Sequence, residues 1–134
     1  AVYCWGYNSF GQVGNTAVAR FASAVAPVLV DGGHSFVSLG AGDSHTCGVT
    51  TAGSGYCWGW NQDNQLGDGT TESSRGSPAL VAGGLTFTSI GGGRNHSCGL
   101  TTSGAAWCWG WTYQGRVGDE FIRVVAGGLT FRTP

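Results

Sequence analysis

The chemistry of the five cysteines in this chain is constrained by their spacing. Cys47 and Cys57 lie ten positions apart, and Cys98 and Cys108 repeat that separation. Each pair flanks a short stretch rich in Gly, Ser and Thr, which predicts a β-hairpin with one cysteine on each arm. Cross-strand neighbours lie about 4.5–5.5 Å apart, a separation that a disulfide can bridge. The sequence therefore predicts the disulfides Cys47–Cys57 and Cys98–Cys108.

The fifth cysteine has no such partner. Cys4 corresponds in the repeated pattern to Cys57 and Cys108, so its partner would belong to a preceding hairpin arm, supplied upstream or by another copy.

Zinc binding is the alternative interpretation of the two cysteine pairs, since His45 and His96 each precede a cysteine by two positions. A structural zinc site takes four ligands, usually with Cys-x-x-Cys spacing, and that spacing is absent. Disulfides are favoured, and no metal or other cofactor is expected.

The run Asp43-Ser44-His45 contains the residue types of a hydrolase triad. Adjacent positions do not provide triad geometry, and the second copy reads Arg94-Asn95-His96, so only the histidine recurs. No nucleophile or acid–base pair stands out elsewhere. The sequence predicts a non-enzymatic protein in which both histidines are structural and bond backbone groups of the Gly-rich turns before them.

Oxygen-bearing side chains after Trp60 are spaced like the ligands of a calcium loop, at Asn61, Asp63, Gln65 and Glu72. The glycine that such a loop requires in its middle is absent, and the flanking segments have the pattern of strands rather than helices. Turn formation is the favoured interpretation of these residues. Calcium remains the alternative.

A period of about fifty residues organises all these positions. The tripeptide Cys-Trp-Gly begins at Cys4, Cys57 and Cys108, at offsets of 53 and 51 residues. Segments between these landmarks are short and punctuated by Gly, with no helical spacing of apolar residues. Three or four short strands per repeat predict an all-β fold of antiparallel β-propeller blades. The single domain, 1–134, would hold repeats at about 1–53 and 54–104 and part of a third at 105–134, an incomplete propeller or a segment of a larger one.

Aromatic residues alternate with Cys and Gly at each Cys-Trp-Gly site, and a strand sends alternate side chains to the same face. The favoured interpretation is packing between blades, with a glycan-stacking surface as the alternative. The nine residues are Tyr3, Trp5, Tyr7, Tyr56, Trp58, Trp60, Trp107, Trp109 and Trp111.

The combined pattern resembles a known repeat family. It runs Cys-Trp-Gly-x-Asn-x-x-x-Gln-Leu-Gly-Asp-Gly-Thr, then Pro, Val, Gly-Gly, Phe and Gly-x-x-His-x-Cys-Gly-Leu, and is similar to the regulator of chromosome condensation repeat. The second copy, from Cys57 to Gly110, matches along its whole length. The resemblance implies a propeller, usually of about seven blades. Its cysteines are similar to those of the bacterial, exported branch, which implies an extracellular or cell-surface location.

Net charge and hydrophobicity limit the classes of partner that the chain is expected to bind. A formal net charge of −1 offers no basic surface for nucleic acid. The longest apolar stretch, Val25 to Val30, is much shorter than the ~20 residues that cross a bilayer, so membrane insertion is not expected. The expected partners are another protein or copies of the chain itself, with a glycan as a further candidate.

The repeats differ in length at one site. Twelve, ten and three residues separate a glycine from the following proline or its equivalent, at Gly14–Pro27, Gly67–Pro78 and Gly118–Ile122. Variation at a single site of a repeat places it on a surface loop. We therefore expect an extracellular protein-binding scaffold with these loops as its contact face. The candidate contact residues are Arg20, Phe21, Glu72, Arg75, Asp119 and Glu120.

Two other functions compete with the scaffold. The chain can be a structural subunit of an extracellular filament, assembled when one chain completes the blade of another. It can also act as a guanine nucleotide exchange factor, as the nuclear members of the family do. The net charge, the absence of Lys and the paired cysteines all disfavour that third function.

Overall fold

The computed structural model describes residues 1–111 and the backbone of a short strand at 123–124. Regular structure in this part is β-strand throughout. The strands are β1 Tyr3–Tyr7, β2 Ser23–Leu29, β3 Phe36–Ala41, β4 His45–Thr50, β5 Gly55–Trp60, β6 Ser74–Leu80, β7 Phe87–Gly92, β8 His96–Thr101, β9 Ala106–Gly110 and β10 Arg123–Val124. A search of the described residues finds no helix of the length and hydrophobicity needed to cross a membrane.

The strands form three antiparallel sheets in chain order. The first sheet holds β1 and β2, the second holds β3, β4, β5 and β6, and the third holds β7, β8, β9 and β10. Each strand pairs with the strand next to it in sequence, as in the meander of a propeller blade. The all-β fold predicted from the sequence is confirmed, with two four-stranded blades and a two-stranded portion of a third.

The sheets and the sequence repeats are out of phase. Counted by the Cys-Trp-Gly landmark, the first repeat supplies β1 and β2 to the first sheet and then β3 and β4 to the second. The sheet is completed by β5 and β6 of the next repeat, so each four-stranded sheet is built from two consecutive repeats. The border between two repeats therefore lies in the turn between β4 and β5, inside a hairpin.

Both predicted disulfides are present in the structure. Cys47 faces Cys57 in the register of β4 and β5, and Cys98 faces Cys108 in that of β8 and β9. The Cα atoms of each pair are 4.1 Å apart. The thiol of Cys4 is free. The hairpins inferred from the spacing of the cysteines are therefore the ones that the chain forms.

The hydrophobic core lies between the second and third sheets. Strands β3 and β4 pack across it against β7. Its buried members are Cys47, Val49, Cys57, Leu66, Val81, Phe87, Ile90 and Trp109. The two sheets approach so closely that a Cβ atom on Gly40 would lie 2.7 Å from the Cα atom of Gly91. Small residues on the facing strands are therefore required for the blades to meet.

Candidate functional site

The contact between neighbouring blades is built on one backbone carbonyl in each repeat. The indole nitrogen of Trp58 donates to the carbonyl oxygen of Gln12 at 3.0 Å, and the hydroxyl of Thr46 donates to the same oxygen at 3.0 Å. One repeat later, Trp109 and Ser97 donate to the carbonyl of Gln65, at 2.9 and 2.7 Å.

A glycine lies against each of the two indole rings. A Cβ on Gly14 would lie 2.6 Å from the Nε1 atom of Trp58, and one on Gly67 would lie 2.5 Å from that of Trp109. Both indole side chains are fully buried. Both rings thus lie between blades, against Gly14 and Gly67 of the preceding loops.

The other aromatic residues do not all share that burial. Tyr56, Trp60, Trp107 and Trp111 are only partly buried. Trp60 stacks on Phe10 of the preceding loop, with 5.4 Å between ring centroids.

For Tyr3, Trp5 and Tyr7 the expectation of packing is wrong: they are 54%, 65% and 65% exposed. The three rings are the exposed positions of an alternating burial pattern along β1. No described segment covers them as the segment from Gln12 to Gly14 covers Trp58.

His45 is buried at the contact between the second and third sheets. Its Nε2 atom lies 2.9 Å from the hydroxyl oxygen of Ser97. Because that hydroxyl donates its proton to the carbonyl of Gln65, its oxygen accepts from His45, which fixes the imidazole as the Nε2–H tautomer. The expected partner was backbone in the preceding turn. The structure places a hydrogen bond to a side chain of the next blade instead.

The environment of His45 keeps its imidazole neutral. Burial, followed by the nearby His96, lowers its pKa from 6.5 to about 4. The Nδ1 atom is buried without a hydrogen-bond partner. The side chain is therefore a structural link between blades.

A buried asparagine organises each of the two described variable loops. The side-chain amide of Asn8 donates to the carbonyls of Val18 and Ala19 and accepts from the amide of Val13. Asn61 makes the equivalent bonds in the next repeat. Each loop is thereby tied across its base by one side chain, which leaves its outer residues exposed on a fixed frame.

The candidate contact residues of the first loop lie at the end of the sheets where β1 ends. Tyr7 pairs with Ser23, so Arg20 and Phe21, which come just before Ser23, lie at that end. Phe21 is 80% exposed and has a backbone φ of 66°. A non-glycine residue with positive φ is uncommon, and an exposed aromatic residue in this conformation is a feature that the sequence did not predict.

The candidate residues of the second loop lie at the same end. Trp60 pairs with Ser74 and donates its amide to the carbonyl of Ser44, which brings Glu72 and the turn between β3 and β4 together. Arg75 lies 3.1 Å from a carboxylate oxygen of Asp68 and 3.4 Å from one of Glu72. Arg75 is therefore engaged in its own loop, whereas Glu72 is largely exposed. Asp119 and Glu120 lie outside the described residues.

Two of the residues that are spaced like calcium ligands stabilise the backbone of their own loop. Asn61 and Gln65 are buried, and their side-chain oxygens accept the amides of Leu66 and Asp63. Within residues 1–111, no three His, Cys, Asp or Glu side chains are grouped as metal ligands would be. The two cysteine pairs considered for zinc are closed as disulfides. The calcium interpretation is not supported, because the side-chain oxygens of Asn61 and Gln65, two of its four ligands, already accept backbone amides.

A groove of about 450 Å³ lies beside the free edge of β1. Among the residues that line it are Cys4, Trp5, Gln12, Leu39, Ala41 and Thr46. Burial raises the pKa of the Cys4 thiol. The groove was not predicted, although the missing counterpart of a His-x-Cys hairpin arm before Cys4 indicated its position.

The sequence pattern of the regulator of chromosome condensation (RCC1) repeat matches residues 1–49 and 52–100, and a second pattern of the same repeat matches residues 36–65 and 87–116. The chain belongs to the RCC1 repeat family. The resemblance identified in the sequence is thus confirmed, and the two full matches run through the three sheets described above.

Individual relatives agree with this assignment. The ultraviolet-B receptor UVR8 of Arabidopsis thaliana is 32% identical over 132 residues, which cover 96% of this chain and 30% of the receptor. The crystal structure of Prp20p from Saccharomyces cerevisiae, a protein described by its binding to Gsp1p and histones, superimposes with a TM-score of 0.74 at 25% identity, over 86% of this chain and 30% of that one. Human WBSCR16 superimposes with a TM-score of 0.78 at 22% identity, over 93% and 34%.

This chain spans about a third of each of these relatives. The comparisons therefore support a segment of an RCC1-type propeller. The residues that hold the blades together, Gln12 with Thr46 and Gln65 with Ser97, were overlooked in the sequence. Their signal was the recurrence of Gln-Val-Gly as Gln-Leu-Gly and of His-Thr-Cys as His-Ser-Cys.

Proposed function

We propose that this chain is a non-enzymatic protein-binding scaffold, exported to the extracellular space or the cell surface. Its contact face is the end of the sheets that carries the loops between β1 and β2 and between β5 and β6. The observation that carries the proposal is Phe21, an aromatic side chain that is 80% exposed on a backbone with φ of 66°.

The backbone conformation of Phe21 costs free energy. Burial of its ring does not offset this cost, because no described residue covers the ring. A non-glycine residue in the left-handed region costs about 1–3 kcal/mol, and such residues cluster at binding sites. Aromatic side chains, Phe among them, are also enriched in protein interfaces relative to the rest of the surface. A protein partner that buries this ring would recover its apolar surface.

The loop that presents Phe21 is held in place before any partner arrives. Asn8 ties the backbone at Val18 and Ala19, two residues before the aromatic ring. Thr16 bonds the carboxylate of Asp31 through both its amide and its hydroxyl, at 2.8 Å each. Preorganisation of this kind reduces the entropy lost on binding.

Charged groups lie at the same end of the sheets as the proposed anchor. Arg20 is exposed beside it, Glu72 lies on the next loop, and Asp43 and Arg94 form an exposed pair at 3.5 Å. A charged rim around an aromatic centre is the usual anatomy of a transient protein interface. Both signs are present, so the partner is expected to be a protein of mixed charge rather than a polyanion.

The proposed location is supported by the cysteines. Two disulfides close hairpins in the second and third sheets, and disulfides of this structural kind persist in oxidising compartments. We place the scaffold outside the cytoplasm for this reason.

A photocrosslinking residue at position 21 tests the contact face. It is compared with the same residue at position 102, in the exposed turn between β8 and β9 at the opposite end. We expect discrete protein adducts from the extracellular fraction of the producing cells at position 21 only, with loss of the same adducts when Arg20→Ala is added. Equal adducts at both positions would contradict the proposal.

Stability separates a binding role from a structural one. Phe21→Ala is expected to leave the melting temperature unchanged, because the ring is exposed and both residues carry the same backbone strain at positive φ. A clear drop in melting temperature would show that Phe21 supports the fold, and the proposed role as an anchor would be abandoned.

A further inference from the structure

The two described variable loops share one frame. The side-chain amide of Asn8 donates to the carbonyl of Ala19 at 3.3 Å, and that of Asn61 donates to the carbonyl of Glu72 at 2.8 Å. In both loops the carbonyl that accepts this bond comes 11 residues after the asparagine. Up to this tied carbonyl, the two loops therefore have the same length.

The difference in length lies between the tied carbonyl and the next strand. Strand β2 begins at Ser23 and β6 begins at Ser74, at equivalent positions of their sheets. Three residues, 20–22, lie between the tied carbonyl and Ser23 in the first loop. In the second loop Ser73 alone lies between them. The first loop is thus the second loop with two residues inserted before its strand.

The inserted residues form the tip of a β-turn. The amide of Ala22 donates to the carbonyl of Ala19 at 3.2 Å, which closes a turn with Arg20 and Phe21 at its centre. Of these two residues only Phe21 has a positive φ, 66°. A turn with this pattern is of type II, and its third position usually holds Gly or Asn. The fold alone does not account for an aromatic residue at this position.

The tip is narrow and its two large side chains are not engaged within the described chain. Arg20 is exposed, and Phe21 is 80% exposed. Ala19 and Ala22 on either side are exposed as well, so only methyl groups flank the tip. Within residues 1–111 no carboxylate forms an ion pair with Arg20. A protruding tip with bare flanks can be enclosed on several sides, so it fits a cleft better than a flat surface.

We propose that Arg20 and Phe21 enter a cleft of the partner protein that has an apolar wall and a carboxylate within reach of the guanidinium. This inference rests on the proposed function, because it concerns how the contact face engages its partner. Phe21 buries its ring on the apolar wall. Arg20 bonds the carboxylate through its fork of donors, which matches the two carboxylate oxygens. The partner is thus a protein with an acidic, partly apolar cleft.

An anionic membrane offers the same two chemistries, since it has an apolar interior and a negatively charged surface. The charges at this end of the sheets disfavour it. The connections there carry four carboxylates, Asp43, Asp63, Asp68 and Glu72, and two guanidinium groups, Arg20 and Arg94, with a third on Arg75 near the start of β6. Three positive charges against four negative ones leave no net attraction to anionic lipid. A protein cleft that encloses the tip alone is the better fit.

Deletion of residues 20 and 21 tests the proposal, because the second loop shows that the frame exists without them. The deletion is expected to leave the melting temperature unchanged. A photocrosslinking residue at position 19, which is exposed beside the tip and present in both chains, reports the contact. From the same extracellular fraction we expect protein adducts with the natural loop, and a yield at least about tenfold lower with the deletion.

Two outcomes separate this inference from the proposed function. Adducts at position 19 that persist after the deletion would leave the contact face standing and overturn the role of the tip. Adducts at position 21 without adducts at position 19 would show that the tip is not enclosed, which also overturns the cleft. Absence of adducts at both positions would overturn the proposed function and this inference with it.

A second variant gives the same test if the deletion lowers the melting temperature. Arg20→Ala combined with Phe21→Gly removes both side chains and keeps the turn, since Gly is the residue that a φ of 66° favours. The same tenfold fall in adduct yield is expected. The matched control combines Thr102→Ala with Ser103→Gly in the exposed turn at the opposite end, and it should leave the yield unchanged.

Substitutions of Arg20 test for the carboxylate in the cleft. Arg20→Gln removes the positive charge, whereas Arg20→Glu reverses it. Because two enclosed carboxylates repel each other, Arg20→Glu should lower the adduct yield at least about fivefold more than Arg20→Gln does. Equal losses would show that no carboxylate faces Arg20, and the proposal would be wrong.

Vesicles of phosphatidylglycerol and phosphatidylcholine in equal parts test the membrane alternative. We expect neither the natural chain nor the deletion variant to sediment with them. Sedimentation of the natural chain but not of the deletion variant would assign the tip to lipid and overturn the protein cleft.

Discussion

The two buried indole rings depend on glycines that no other residue can replace. Gly67 has a φ of 64°, and a Cβ at this position would lie 2.5 Å from the Nε1 atom of Trp109 and 2.7 Å from its Cδ1 atom. A larger residue must therefore displace the ring and break its hydrogen bond to the carbonyl of Gln65. Trp109 is the largest side chain of the core between the second and third sheets, so its displacement would disturb the packing of both.

Gly67→Ala is expected to lower the free energy of unfolding by about 3 kcal/mol, from backbone strain and from overpacking against the indole. Gly84→Ala is the matched control, since its φ is 66° but nothing lies within 4 Å of the added Cβ. The control should lose only about 1 kcal/mol. Denaturant unfolding of both variants measures the difference, and equal losses would show that the ring does not oppose a methyl group.

His45 is expected to make stability depend on pH. Burial lowers its pKa to about 4, whereas the imidazole of the unfolded chain titrates near 6.5. Between these values the unfolded chain binds a proton that the folded chain does not, so stability increases with pH. The contribution is complete above about pH 6.5 and is lost as the pH falls toward about 4, by roughly 3 kcal/mol in all.

Unfolding curves between about pH 7 and 4 measure this slope. His45→Gln removes the titrating group, so the variant should lose most of the pH dependence over that window while being less stable at neutral pH. An unchanged slope in His45→Gln would assign the effect to other groups.

At the scale of strands, the two disulfides fasten the middle of each four-stranded sheet. Each closes a loop of 11 residues, which should stabilise the fold by roughly 3 kcal/mol in the chain-entropy model. The paired substitution Cys98→Ala and Cys108→Ala is therefore expected to lower the free energy of unfolding by about that amount. Cys4→Ser, the control, should leave it unchanged. Mass mapping without reductant should find Cys47–Cys57 and Cys98–Cys108.

The strands could be predicted because their signals are local. Hairpins followed from the spacing of the cysteines, and the propeller followed from the recurrence of Cys-Trp-Gly. What could not be predicted depends on backbone geometry. Trp58 is fully buried and Trp60 only partly, although strict alternation would treat them alike. The positive φ of Phe21 also has no sequence signal, because such positions usually hold Gly or Asn.

Loop residues likewise have roles that the sequence predicts and contacts that it does not. Asn61 was recognised as a turn residue, and it does terminate β5 and shape the loop. Its three bonds to backbone groups arise from a loop that folds back on itself, which the spacing does not reveal. The link between His45 and Ser97 joins residues 52 positions apart, and only the assembled blades bring them together.

Across the whole molecule, stability is expected to be lowest in the first sheet. Among the described strands, β1 pairs only with β2 and carries three exposed aromatic rings, whereas β4, β5 and β8 each pair on both sides. In a repeat protein each unit is stabilised mainly by its neighbours. Hydrogen exchange followed by mass spectrometry should show faster exchange for amides of β1 and β2 than for those of β4, β5 and β8. Uniform exchange across the three sheets would contradict this ordering.

Because the border between repeats falls in the turn 51–54, the bond from Cys47 to Cys57 stitches one repeat to the next across that border. Cleavage in this exposed turn by a protease would divide the polypeptide without dividing the molecule. The two pieces would stay joined through sulfur and through the ladder of β4 and β5, and would part only after both reduction and unfolding. The same holds for the turn between β8 and β9. A nick in either turn would therefore leave the two pieces of the molecule covalently joined.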